Sequence, residues 1–136
     1  MSEVYLGNPN LKKANTPIEF TEEQVIEFLK CKDDPVYFAN NYIKIVSLDE
    51  GLTQFHPYHF QEKLINNFHA NRFNICKMPR QTGKSTTVVS YLLHYAVFND
   101  SVNIGILANK AATARELLSR LQTAYENLPK WMQQGI

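Results

Sequence analysis

Between Phe20 and Leu128 the spacing of apolar residues changes several times, and each change marks a different element. In Phe20-Thr21-Glu22-Glu23-Gln24-Val25, Thr21 and Gln24 form a capping box and Phe20 with Val25 a hydrophobic staple, which predicts a helix over about 22–31. Asp34-Pro35 is an N-cap followed by proline at N1 and starts a second helix, Pro35 to about Tyr42. Ile43, Ile45 and Val46 then predict a short extended exit, followed by the turn-like Asp49-Glu50-Gly51. His56-Pro57 opens a third helix in which Phe60, Leu64 and Phe68 make one apolar stripe, ending near Asn71. Residues 72–78, RFNICKM, alternate and stop at Pro79, as a strand running into a loop does.

From Lys84 to Phe98 apolar and aromatic residues occupy nearly every side of a predicted helix, a sign of burial at the domain centre. Asn99-Asp100 breaks it, and residues 102–107, VNIGIL, read as a second buried strand. A last helix, about 110–127, puts Ala114, Leu117, Leu118, Leu121, Ala124, Tyr125 and Leu128 on one face and the pair Glu116/Arg120 outside. Before Phe20 no periodicity is present, and residues 1–19 read as an irregular arm. The order helices, strand, loop, helix, strand, helix is a βαβα unit. It predicts parallel strands joined by a right-handed crossover, in the α/β class.

Composition narrows this picture only a little. A chain of 136 residues with 44% apolar content is one domain's worth and can bury a core. No apolar stretch reaches membrane-spanning length, which predicts a soluble protein. Cys31 and Cys76 lie far apart without ligand spacing and without a leader-like start, which fits a reduced cytosolic setting. His56, His59, His69 and His94 show no zinc spacing and read as ordinary surface or helix residues, while Trp131 beside Pro129 reads as an apolar cap on the domain. The net charge of +1 conceals an asymmetry: residues 1–68 hold six basic against ten acidic side chains, residues 69–136 eight against three. The second half is either anion-facing or ordinary solvated surface.

The candidate chemistry lies in KMPRQTGKST, residues 77–86. Gly83-Lys84-Ser85 stands between a predicted strand and a predicted helix, the context of a phosphate loop, although Met78 occupies the place of the usual first glycine. Backbone N–H groups from Gln81 through Thr82 to Thr86 would converge on an anion at a helix N-terminus, where unpaired donors and the helix dipole both favour negative charge. Gly83 admits close backbone approach, Lys84 reaches the β- and γ-phosphate oxygens, and the Ser85 hydroxyl holds Mg²⁺. Pro79 turns the entrance in place of the missing glycine. Arg80, a cation inside the loop, would stabilise charge developing on the γ-phosphate. The alternatives are a plain helix start at Gly83 and an Arg80 that is solvated or anchors the loop to a carboxylate.

MPRQTGKST resembles the deviant phosphate loop of the large terminase subunits of tailed bacteriophages, ATP-driven motors that pack DNA into capsids. DDPVYFANNYIKI, PYHFQEKLI and NIGILANKAATARELLSRL resemble that family's segment before the ATPase core, its adenine-side aromatic-Gln helix, and the strand and helix after the loop. The resemblance spans roughly residues 20–136. It implies a P-loop NTPase-type three-layer core with a partial parallel sheet over 72–136, preceded by a helical lead-in over 20–71. Lys84 and Ser85 would be the triphosphate lysine and the magnesium hydroxyl, Arg80 the cis arginine, Gln61 the reader of the adenine edge, and Phe60 a packing or stacking residue beside the base. A second glutamine found near His56 in some relatives is missing. The implied cofactors are ATP and Mg²⁺. The implied partners are double-stranded DNA without sequence preference, a portal protein and a small terminase subunit, in an oligomeric ring formed by the intact protein in the host cytoplasm.

Phosphoryl transfer to water also needs an acidic pair on a later strand. After Ser85 only Asp100, Glu116 and Glu126 follow, each in a turn or on a helix. The chain is therefore expected to be the N-terminal portion of an ATPase domain, without the C-terminal part and the nuclease domain, and to hydrolyse ATP poorly alone. A helicase-like ATPase and a non-catalytic nucleotide- or DNA-binding module are the other readings; the Arg80-Gln81 pair argues against the helicase.

Overall fold

A computed structural model of the chain describes residues 4–15, 19–47, 49–79 and 83–133. Helix α1 (Glu22–Asp33) begins with the reciprocal box: Gln24 N–H donates to Thr21 Oγ1 at 3.2 Å and Thr21 N–H to Gln24 Oε1 at 3.1 Å. The Phe20 ring packs edge-on against Phe28, with centroids 6.3 Å apart. Helix α2 (Pro35–Tyr42) starts where expected, Asp34 Oδ1 accepting from Val36 and Tyr37 N–H at 3.0 and 3.2 Å. The two helices are tied by Glu27, whose carboxylate accepts from the Tyr37 and Tyr42 hydroxyls, the closest approach being 2.8 Å in each case. Bonds from Tyr42 and then Tyr37 hold the Glu27 carboxyl below its ordinary range.

Strand β3 (Lys44–Ser47) pairs antiparallel with β4 (Gly51–Gln54), in register from Lys44 opposite Gln54 to Ser47 opposite Gly51. Gly51 takes a φ of 71°, which a residue with a Cβ adopts only at a cost. The sequence pattern reveals β3 but not β4, because Leu52-Thr53-Gln54 offers a single apolar residue. Helices α3 (His59–Ala70), α4 (Lys84–Phe98) and α5 (Ala111–Glu126) complete the order. The stripe on α3 is displaced from its expected position. Gln61 and Ile65 are the buried residues, Leu64 and Phe68 are half-buried, and Phe60 is exposed.

Two corrections to the sequence reading concern strands. The arm is not wholly irregular: β1 (Val4–Tyr5) and β2 (Asn8–Lys12) form an antiparallel hairpin through Leu6 and Gly7, with φ of 49° and 76°. Positive φ at both turn residues suits the twist of a two-residue hairpin. Gln133 pins β2, its Oε1 accepting from Lys12 N–H at 2.8 Å and its Nε2 donating to Asn10 O at 2.7 Å. Conversely, 72–78 and 102–107 carry no strand pairing; among the described residues the sheets are the two hairpins alone, both antiparallel. An alternating pattern specifies an extended chain with one apolar face, but it names no ladder partner. The alternation itself survives at 102–107, where Val102, Ile104 and Ile106 are half-buried and Asn103, Gly105 and Leu107 exposed. Phe73 and Ile75 are exposed. The chain is thus mixed α and β, five helices with two small hairpins among the described residues. No helix among them is long and apolar enough to cross a membrane.

Helix α4 packs on α2, α3 and α5, around a core of Phe38, Ala39, Ile43, Ile65, Leu93, Val97, Phe98, Ala124, Leu128 and Met132. Of the predicted α5 face only Leu118 is largely exposed. Trp131 meets Tyr42 edge-on at 5.8 Å, as a lid on this core. Cys31 is also buried, which pushes its thiol up to about 12 and leaves it protonated and unreactive; Cys76 is exposed.

His94 is a helix residue, within the reading given to the four histidines, and it lies in the core. It is 3% exposed, its ring lies 4.8 Å from Phe98 and 5.5 Å from Phe38, and its Nε2 donates to Cys31 O at 2.8 Å. Burial lowers its pKa against the weaker opposing pull of the Cys31 carbonyl, with His69 lowering it further and Asp34 opposing. The sign follows: the unfolded chain takes up a proton as pH falls through about 6.5, the native chain only at lower pH, so acid removes stability. Thermal melts at pH 8 and pH 5.5 are expected to show a lower midpoint at the acid pH, with the drop reduced in His94→Phe. An equal drop in both proteins would assign the sensitivity to other groups.

Candidate functional site

The structure brings the start of α3 against the start of α4. Gly83, the N-cap of α4, has φ 74° and ψ 19°, in the left-handed region, and Lys84 directly after it is right-handed helix. Successive residues of opposite hand turn their N–H groups toward one side, the arrangement of an anion-binding nest. The N–H groups of Lys84, Ser85 and Thr86 belong to the first turn, where the helix supplies no acceptor, and the dipole adds partial positive charge. Lys84 is exposed; Ser85 and Thr86 are half-buried. The start thus offers backbone donors of a kind that suits a phosphate group, with an exposed lysine at its first helical position. Ser85, the residue that would ligate Mg²⁺, stands in the same turn. The expected Arg80, Gln81 and Thr82 lie outside the described residues.

Behind the nest the Gly83 carbonyl is held from several sides. It accepts from Thr87 N–H at 3.0 Å, from Thr87 Oγ1 at 2.8 Å and from Gln61 Nε2 at 3.3 Å. Gln61 is 3% exposed, and its Oε1 accepts from Tyr58 N–H at 2.8 Å, closing the first turn of α3. The two residues that sequence places far apart are therefore neighbours. A Cβ built on Gly83 would lie 2.5 Å from Gln61 Nε2, so glycine is needed here for space as well as for φ.

Phe60 is 44% exposed and stacks on Tyr58, which is 72% exposed, with centroids 6.0 Å apart and planes 13° from parallel. This aromatic pair precedes Gln61 in sequence and offers π surface to a planar ligand. Sequence reasoning singled out Phe60 but missed Tyr58 and Thr87. For Tyr58 the signal was its two-residue spacing from Phe60. For Thr87 it was a hydroxyl four residues after a glycine, the distance at which a helical side chain reaches back to a carbonyl.

Two grooves lie along α4. One of about 540 Å³ is lined by residues that include His69, Arg72, Tyr91 and Tyr95, and one of about 520 Å³ by residues that include Lys44, Thr86, Glu116 and Arg120. Thr86, in the same first turn as Lys84, borders the second groove. In the second groove Arg120 and Glu116 form the expected ion pair at 2.8 Å; both are exposed, and such a pair contributes only a few tenths of a kcal/mol. Among the described residues no group of three or more His, Cys, Asp or Glu side chains stands ready to hold a metal ion.

What points to an anion is thus local: a left-handed glycine at the start of a long helix, a lysine directly after it, and a carbonyl braced from behind. No protein-family model matches this chain.

Proposed function

We propose that the chain is the ATP-binding part of a DNA-packaging motor of the large-terminase type, with ATP hydrolysis in the intact protein driving DNA into a capsid. The observation that carries the reading is the handed reversal at Gly83-Lys84, which turns backbone donors toward one side at the point where MPRQTGKST resembles a phosphate loop. Lys84 would face the β- and γ-phosphates and the Ser85 hydroxyl would hold Mg²⁺, which when bound would supply withdrawal of charge from the phosphoryl group. Arg80 is the cation that would meet the γ-phosphate. The base packs beside Phe60.

In this proposal the finer architecture, completed in the intact protein, is a three-layer P-loop core in which 72–78 and 102–107 gain the ladder partners they do not have among the described residues; the alternation retained at 102–107 supports it. Partners follow from the same reading: double-stranded DNA held through its phosphates, a portal protein, and a small terminase subunit. Contact with DNA through phosphates makes affinity fall steeply with salt.

The test is competition. Fluorescent ATP with Mg²⁺ is expected to bind and to be displaced by inorganic tripolyphosphate, but not by adenosine. Displacement by adenosine with indifference to tripolyphosphate would reject a phosphate-centred site.

A further inference from the structure

We infer that Gln61 is a positioning residue for the phosphate site, one that aims the Lys84 N–H by bracing the Gly83 carbonyl; this rests on the phosphate-binding reading above. The peptide between Gly83 and Lys84 is a rigid trans plane, so its C=O and N–H point in opposite directions. Whatever fixes the carbonyl therefore fixes the amide. Gln61 Nε2 at 3.3 Å and Thr87 Oγ1 at 2.8 Å, together with Thr87 N–H at 3.0 Å, draw the carbonyl toward the protein. The amide must then face out of the helix start, toward the anion.

Geometry also limits what else Gln61 can do. Its amide has two acceptor lone pairs and two N–H donors. The oxygen accepts from Tyr58 N–H at 2.8 Å and the nitrogen donates to Gly83 O, while the whole residue is 3% exposed. Reading a base edge would require the same amide to turn out of this buried position, releasing both bonds: the Tyr58 N–H would have to find another acceptor, and the Gly83 carbonyl would be left to Thr87 alone. Thr87 is fully buried at 0% exposure, and its hydroxyl serves the same carbonyl from within α4. The brace thus joins α3 to α4 through a single oxygen, and the start of α3 sets the orientation of the anion-binding amide.

Affinities for tripolyphosphate, ATP and GTP, each with Mg²⁺, separate the possibilities. In Gln61→Met, which keeps the side-chain volume and removes both polar atoms, all three are expected to weaken by a similar factor, on the order of tenfold. Thr87→Val is expected to do the same and Thr87→Ser to restore binding, at near-parental melting midpoints. Where Gln61→Met fails to fold, Gln61→Asn, whose shorter amide stays polar but falls short of the Gly83 carbonyl, is read against the same three ligands, with the Thr87 series testing the shared oxygen. Loss of ATP binding alone, with tripolyphosphate unaffected, would overturn the inference and make Gln61 a base reader. Unchanged affinities for all three ligands would also overturn it. A parent chain that binds none of them would reject the phosphate site itself.

Discussion

Lys84→Ala is expected to weaken ATP binding by about 10- to 100-fold, the loss that follows when one charge-assisted hydrogen bond worth roughly 1.5–3 kcal/mol is removed. The ammonium belongs to an exposed side chain at the first helical position of α4, directly after the left-handed Gly83. Nothing in the core leans on it, so thermal unfolding should stay within about a degree of the parent, as is usual for surface substitutions. Isothermal titration with ATP and Mg²⁺ measures the first quantity and a melt the second. Equal affinity in parent and variant would remove the lysine from any phosphate site. A collapse of the melt would show that it supports the fold instead.

Phe38→Ala carries the largest expected effect on stability, about 3–5 kcal/mol. Its ring is fully buried between Phe98 at 5.4 Å, His94 at 5.5 Å and Tyr42 at 6.4 Å, so truncation removes contacts from α2 and α4 together. Against a usual domain stability of about 5–15 kcal/mol, that is a large fraction. Denaturant titration should show the midpoint falling at nearly constant slope, with Phe38→Leu much milder. A loss below about 1 kcal/mol for alanine would mean that the ring is not packed as described.

Helices were legible in this sequence because their signals are local. Thr21-Glu-Glu-Gln24 and Asp34-Pro35 announce caps that form as written, and the dense apolar content of 84–98 marks the central helix. Strands were less legible because pairing is not local. Residues 72–78 and 102–107 have the right alternation yet meet no ladder partner among the described residues, while the β1–β2 hairpin forms from a stretch with no periodicity at all. Its signal was only Gly7, able to take a positive φ. In the candidate site, Gly83 and Lys84 were singled out by the loop motif and Gln61 by the resemblance, but their contact was not foreseen. That Gln61 would spend its amide on Tyr58 and Gly83 depends on α3 and α4 meeting, which no spacing along the chain encodes. His94 reads as a surface or helix residue; it is in a helix, but that it fills the core depends on α4 meeting α2, which its spacing does not encode.

The pin at Gln133 bears on the order of events during synthesis. Its amide bonds reach back across the chain to Asn10 and Lys12. A ribosome emitting this polypeptide releases the opening hairpin first, yet the side chain that secures it emerges more than a hundred residues later. Until then the hairpin depends on its own few cross-strand bonds, and so short a ribbon is marginal in water. The two bonds that tie the hairpin to Gln133 can therefore form only after the chain through α5 has emerged.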